Sequence, residues 1–472
     1  MIIETVLCQR CKKIDAVLCS RKEYFCPVCF EKFVSLKQRK QMMSDNYFQD
    51  IFKVIYGDKL RSVEEASTMN RESRVLVPLS FGSSSLLTLD ILHGILKEQF
   101  TVHRGTVGFT LDAVTCCRYQ EMGEVRRRLH KLRDRYSDSG VEIKFHLIDL
   151  DKAFETCNDH IRIVLNDSTF SSRYVALERL QKVSMSDVLK ECGGKSAQED
   201  LVTAFTDRIV KDFAQRGNYK AILWGHSMTR LADEVISLVV KGRGAQIADT
   251  LNTSDFDESF GGEFKPLYPL RDVLLSEVDA LCHLKGLAPL LYKYAPNYSL
   301  LLVRPSEADK ITPKPKYLPK NMTINGLARK YFDDIEDNYS NVISTVVRTG
   351  AKLAPPTCEV DNAPNCTLCR SMIYKDAPGW LQSITENLGH PIEDDADFQL
   401  YEAWSKSQLG EVHADYIELT GDFQRRGDDA LLCYGCITTV LSSSTKSLVW
   451  INSDKQDALD DISRYILTDE ED

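Results

Sequence analysis

The sequence lacks any apolar run close to the ~18 residues that a membrane-spanning helix needs, so no membrane span is expected. It also lacks net positive charge: 69 acidic residues against 59 lysines and arginines give a formal charge of −10. That balance argues against general nucleic-acid binding and leaves room only for local basic faces. The opening residues, "MIIETVLCQRCKKID", lack the basic segment and apolar core of a secretory signal. They also lack the Arg- and Ser-rich look of an organelle presequence, and a cytoplasmic location is expected. No internal repeat of fixed period is present.

What the chain does have is length and cysteine. Its 472 residues suffice for two to four domains, and 43% apolar with 27% charged residues is the profile of a globular protein. Fifteen cysteines in a cytosolic chain are not expected to form structural disulfides. Eight of them form four CxxC pairs. Cys8-x2-Cys11 and Cys26-x2-Cys29 stand 14 residues apart, a spacing that lets four thiolates close around one zinc ion. A module of about 30 residues buries too little core to fold unaided, so the metal would supply the folding energy. Cys366-x2-Cys369 and Cys433-x2-Cys436 repeat the arrangement across a 63-residue gap, and a second zinc is expected there. Cys358 is a possible substitute ligand. Cys19 is a bystander, while Cys116, Cys117, Cys157, Cys192 and Cys282 read as core residues, with a redox role for Cys116 and Cys117 as the alternative.

The organisation follows from pattern. Residues 1–33 form the N-terminal zinc module and 34–73 a helical connector. Residues 74–303 alternate strand and helix, as in a parallel α/β sheet with helices on both faces. Candidate strands are 74–79, 106–111, 142–148 and 220–224. Residues 304–350 comprise a Pro-rich linker and a helix, and 351–472 a C-terminal zinc module with an acidic tail.

One loop carries the chemistry. In "VLVPLSFGSSSLLTLDIL" an apolar strand enters a turn of small residues and a helical pattern follows. Backbone N–H groups and a helix N-terminus at a sheet's carboxyl edge make an anion site. The Gly-Lys-Ser/Thr ending of a P-loop is missing. The stretch instead resembles the PP-loop of ATP pyrophosphatases, Ser-Gly-Gly-x-Asp-Ser. Ser80, Gly82 and Ser85 match, Phe81 replaces a glycine, Ser84 replaces the acid, and Ser83 stands at the usual lysine position. A ring at 81 is expected to restrict the backbone and crowd a phosphate. The loss of the carboxylate removes a means of organising magnesium.

Two further landmarks occur in order. "LWGHSMTRLADEV" keeps Gly225 and His226 of a Gly-His-Asn-x-Asp-Asp stretch but loses both acids, one to Arg230. "FKPLYPLRDVLLSEV" is similar to a Lys-Pro-Leu segment entering a helix with a glutamate, here Glu277. With "CQRC…FCPVCFEKFVSLKQRKQMM" and "LCYGC", these stretches resemble the cytoplasmic tRNA 2-thiolation protein 2 family over most of the chain, from residue 8 to residue 436.

The resemblance implies a PP-loop ATP-pyrophosphatase-like fold and a subunit of a heteromeric tRNA thiolase. That enzyme makes 5-methoxycarbonylmethyl-2-thiouridine at the wobble position of lysine, glutamate and glutamine tRNAs. The partners implied are a paralogous catalytic PP-loop subunit, tRNA, and a thiocarboxylated ubiquitin-related modifier that supplies sulfur. The missing acids imply a structural and tRNA-binding role in which ATP and an iron–sulfur cluster are not expected. The alternatives are an active tRNA-adenylating enzyme using Ser83, Ser84 and Ser85, and a zinc-ribbon adaptor in modifier conjugation. For RNA, the pattern "VRRRLHKLRDRY" sets Val125, Leu129, Leu132 and Tyr136 on one helix face. Arg126, Arg127, Arg128, Lys131, Arg133 and Arg135 crowd the rest, a strip able to meet phosphates or simply a solvated flank. Lys314, Lys316 and Lys320 are a weaker candidate.

Overall fold

Val75, Leu76 and Val77 are all fully buried, because strand β3 (Arg74–Pro78) is covered on both faces. Alternation sends Val75 and Val77 into one hydrophobic cluster and Leu76 into another. The computed structural model describes residues 6–59, 61–156, 160–166, 171–176, 183–303, 322–354, 364–374, 392, 394–421 and 431–451.

An antiparallel hairpin, β1 (Leu18–Ser20) and β2 (Glu23–Phe25), leads into helix α1 (Pro27–Met42). Helices α2 (Asn46–Phe52) and α3 (Val63–Glu72) follow, the latter started by a capping box between Ser62 and Glu65. Beyond β3 come α4 (Ser83–Val102), β4 (Thr110–Cys117), α5 (Met122–Tyr136), β5 (Ile143–Asp149) and α6 (Leu150–Glu155). Strands β6 (His160–Asn166) and β7 (Ser171–Ala176) precede α7 (Met185–Glu191) and α8 (Lys195–Arg216). Then follow β8 (Ala221–Leu223), α9 (Met228–Val240), α10 (Ile247–Leu251), β9 (Lys265–Leu267), α11 (Leu275–Leu284) and α12 (Ile324–Gly350). Helices α13 (Asp395–Ser405), α14 (Gln408–Gly421) and α15 (Tyr434–Leu441) and strand β10 (Ser447–Ile451) complete the described elements.

The main sheet is parallel in the order β5-β4-β3-β8-β9, with Val75 paired to both Leu111 and Ala221. Numbered along the chain, its strands run 3-2-1-4-5. The chain therefore leaves β3 towards one edge and resumes at β8 towards the other. A crevice opens outside the carboxyl ends of these two strands, the usual place for a ligand in such sheets. A second, antiparallel sheet has the order β10-β6-β7.

Three of the expected strands coincide with β3, β5 and β8. The fourth, expected at 106–111, is displaced: β4 begins at Thr110 and runs on through Cys117. Gly108 explains the shift. A Cβ there would lie 2.4 Å from the Lys53 carbonyl oxygen, so this segment is held flat against the end of α2 and starts no strand.

The two cysteine-bearing regions share the cores of the sheet. Leu18, Phe25, Phe30 and Val34 join the cluster on one face. Cys366, Leu368, Cys436, Ile437 and Trp450 join the cluster on the other.

Candidate functional site

The loop after β3 keeps the conformation of a glycine turn without the glycine. Phe81 has φ +57°, in the left-handed region, and its ring is 1% exposed within the core. Its carbonyl accepts the Tyr292 N–H at 3.0 Å. The expectation that this ring crowds a phosphate is therefore corrected: the left-handed backbone turns the ring inward, away from the crevice. Gly82, at φ −80°, is the N-cap of α4. The Ser80 and Ser85 hydroxyls lie 3.2 Å apart, and Ser85 also donates to the Gly82 carbonyl at 3.1 Å. Ser83, Ser84 and Ser85, in the first turn of α4, are buried.

Gly225 and His226 follow β8 and meet this turn. A Cβ on Gly225 would lie 2.7 Å from the Ser85 Cα, so the glycine permits direct contact between the two loops. The His226 ring sits edge-on to Tyr268, with Nε2 3.8 Å from the Glu234 carboxylate. Burial holds its pKa below the ordinary value of 6.5.

Loop, α8, α9 and the Cys369 knuckle enclose a cavity of 580 Å³. Several of its charged residues are absent from the sequence reading: Asp207 on α8, Asp233 and Glu234 on α9, and Arg329 on α12. Asp233 and Glu234 stand three and four residues after Arg230, one helical turn on, and that spacing was the available signal. The cations of the cavity are held by the protein's own carboxylates. Arg230 binds Asp233 at 2.8 Å, Lys241 binds Asp200 at 2.5 Å, Lys211 binds Asp257 at 2.7 Å and Arg329 binds Glu199 at 3.3 Å. Burial pushes the Asp207 and Asp233 carboxyls up to about 6, the second in spite of Arg230.

Beside the loop, Asp279 of α11 accepts from the Tyr294 hydroxyl at 2.8 Å and from the Asn297 N–H at 2.6 Å. Burial still pushes its carboxyl from 3.8 up to about 7. Between these values the native state holds a proton that the unfolded chain has released, so stability falls as pH rises through the window. The stability advantage of the native chain over an Asp279→Asn variant should therefore shrink from pH 4 to about pH 7 and level off above. Urea unfolding across that range checks it, and a flat difference would refute it.

The cysteine pairs converge as their spacing suggests. The sulfurs of Cys8, Cys11, Cys26 and Cys29 all lie within 4.8 Å of one another, as do those of Cys366, Cys369, Cys433 and Cys436. Both groups share one local design. The residue after the second cysteine, Lys12 or Arg370, takes a positive φ, and its N–H donates to the first cysteine's carbonyl at 2.8 Å. The third cysteine, Cys26 or Cys433, is the N-cap of a helix, where the dipole favours a thiolate. At the second group Gln246 Nε2 lies 3.8 Å from the Cys369 sulfur and 3.7 Å from the Cys433 sulfur. The Cys433 N–H donates to the Cys366 sulfur at 3.4 Å. Cys369 also lines the cavity that begins at the loop. Burial pushes the Cys116 thiol up, and the Cys117 thiol up to about 12, which disfavours the thiolate at both. Cys157 and Cys358 lie outside the described residues.

On α5, Val125, Leu129, Leu132 and Tyr136 are buried, the amphipathic face that the sequence indicates. Arg127 and Arg128 bind Glu124, Arg128 also caps the Leu291 carbonyl at 3.3 Å, and Arg135 binds Asp90 at 3.2 Å. Arg133 lies over the Phe145 ring. Arg126 and Lys131 are exposed. Lys314, Lys316 and Lys320 lie outside the described residues.

Strand order, switch-point loop and paired landmarks define a PP-loop-type α/β protein without the loop's acid, flanked by two four-cysteine groups able to hold metal. A family model described as cytoplasmic tRNA 2-thiolation protein 2 matches residues 323–438. The curated protein of that name from Candida glabrata is 44% identical over 98% of this chain and 99% of its own length. Its counterpart from Vanderwaltozyma polyspora is 45% identical over 99% and 98%. The one from Saccharomyces cerevisiae is 36% identical over 95% and 94%. The chain belongs to the cytoplasmic tRNA 2-thiolation protein 2 family. Among solved structures, the U34-tRNA thiolase NcsA from Methanococcus maripaludis, with its 4Fe–4S cluster, is similar at TM-score 0.44 and 15% identity, over 82% of this chain and 98% of that one.

Proposed function

We propose that this chain is the non-catalytic, zinc-bearing subunit of a cytoplasmic tRNA thiolase that acts on the wobble uridine of lysine, glutamate and glutamine tRNAs. A paralogous PP-loop subunit with its acids intact would activate the uridine, and a thiocarboxylated ubiquitin-related modifier would supply sulfur. The observation that carries this reading is the state of the cavity. Its cations are neutralised by the protein's own carboxylates, and the loop has no acid to organise magnesium. A site built for a nucleotide triphosphate keeps such charges for the ligand and its metal.

The sulfur separations support zinc as the metal of the cysteine groups. A tetrahedron with Zn–S bonds of about 2.3 Å has edges of about 3.8 Å, which is the Cys11–Cys26 and the Cys369–Cys433 sulfur separation. A cubane cluster sets its four ligands wider apart. With four thiolates bound, no position is left for water, so the metal would hold structure and supply no reaction step.

The test is the 2-thiouridine content of wobble positions in cells whose only copy carries Ser80→Ala, Gly82→Ala and Ser84→Ala. A Cβ at Gly82 meets nothing nearer than the Ser80 hydroxyl at 3.6 Å, so the variant should fold. Thiolation should be normal in the variant and lost on deletion of the gene. Loss in the variant at normal protein abundance would give the loop a working role. Normal thiolation after deletion would refute the proposal outright.

A further inference from the structure

Helices α13 and α14 form a corner with a defined shape and an apolar surface that the rest of the described chain leaves uncovered. Ser407 builds the corner: its N–H donates to the Trp404 carbonyl at 2.9 Å and its carbonyl accepts the Glu411 N–H at 2.9 Å. Gly410 is pressed against the end of α13, where a Cβ would lie 2.3 Å from the Trp404 carbonyl oxygen. Trp404 meets the His413 ring at 5.2 Å, which fixes one helix on the other. No side chain of α13 is buried. Phe398, Leu400, Tyr401, Trp404, Leu409 and Val412 are 41 to 73% exposed. Isolated apolar residues on a surface are ordinary; this many on two adjoining helices mark an interaction site.

The charges select among occupants. Asp394, Asp395, Asp397, Glu402, Glu411 and Asp415 surround the apolar residues, with Lys406 the single lysine or arginine between 394 and 415. Such a surface repels RNA phosphates. It lacks the basic face of a helix that lies on a membrane. Two copies placed face to face would bring like charges together. A protein groove with an apolar floor and a rim of lysine and arginine satisfies both features at once.

We propose that the α13–α14 corner docks into an apolar, basic-rimmed groove on the partner subunit of the thiolase. This rests on the heteromeric reading above. Phe398 and Tyr401, three residues apart on one face of α13, fill the groove together with Leu409 of α14, and the carboxylates set orientation and speed of encounter.

The experiment uses the full-length chain and the purified paralogous PP-loop subunit, with affinity measured by titration calorimetry. A Phe398→Ser, Tyr401→Ser, Leu409→Ser variant should bind roughly 100-fold or more weakly. Its thermal unfolding should be unchanged, because the replaced side chains are exposed. A Glu411→Lys, Asp415→Lys variant should bind more weakly and with a smaller salt dependence, and unchanged affinity and salt dependence would overturn the basic-rimmed groove. Undiminished affinity in the triple variant would overturn the docking inference and leave the heteromer intact. Absence of any complex with the wild-type chain would overturn the heteromer reading and the inference with it. A wild-type homodimer dispersed by the triple variant would assign the face to a second copy. Loss of tRNA affinity alone would assign it to RNA, and either result overturns the proposal.

Discussion

If both cysteine groups hold zinc as proposed, serine in place of Cys436 should reduce the bound metal from two ions per chain to one and unfold the C-terminal half of the core. Cys436 is fully buried, and its neighbours Ile437 and Val440 pack in the same cluster as Leu368 and Trp450. Removing one thiolate opens the tetrahedron, and metal binding that is coupled to folding is lost with it. The expected cost exceeds about 4 kcal/mol, a size reached by few mechanisms other than loss of a metal or a buried network. Elemental analysis and thermal unfolding check both parts. Retention of two zinc ions, or iron with the visible absorbance of a cluster, would refute the assignment.

The second large effect is expected at Glu277. This carboxylate is fully buried yet accepts from the Ser20 hydroxyl at 2.7 Å, from Arg21 at 2.7 and 3.0 Å and from the Leu274 N–H at 3.0 Å, with Lys37 3.7 Å away. It joins the β1–β2 turn and α1 to the start of α11. Truncation to alanine leaves Arg21 and Lys37 facing an empty polar pocket. Breaking a buried pair in this way costs about 3–5 kcal/mol. Arg21 is 41% exposed, so solvent compensates in part and the lower end is expected. Denaturant unfolding of Glu277→Ala measures the loss, and limited proteolysis should show earlier cleavage before residue 43. A change below about 1 kcal/mol would mean that the contact is dispensable.

Much of this was legible in the sequence because it is local. The CxxC spacing alone announces each knuckle, and the switch-point loop follows from an apolar strand, small residues and a helical pattern. Other features depend on contacts far apart in the chain. Strand β9 has three residues and contains Pro266, too short and too atypical to read as a strand. Strands β6 and β10 pair Ile163 with Leu448, a partnership that no local pattern carries. The inward turn of Phe81 depends on a backbone angle held by Tyr292, more than two hundred residues away. The carboxylates that neutralise the cavity come from helices whose faces became assignable only once α8, α9 and α12 were in place.

The second sheet has a consequence for how the protein is made. β6 waits for β10 across more than two hundred residues of nascent chain, and Cys366 and Cys369 wait for Cys433 and Cys436 across the 63 residues between the pairs. One side of the sheet must stay open on the ribosome until residue 451 has left the exit tunnel. A chain stopped short of that point would expose the surface that Trp450 covers. The cell's chaperones and proteases would recognise the fragment by it, so unfinished copies should be removed before they compete with complete ones.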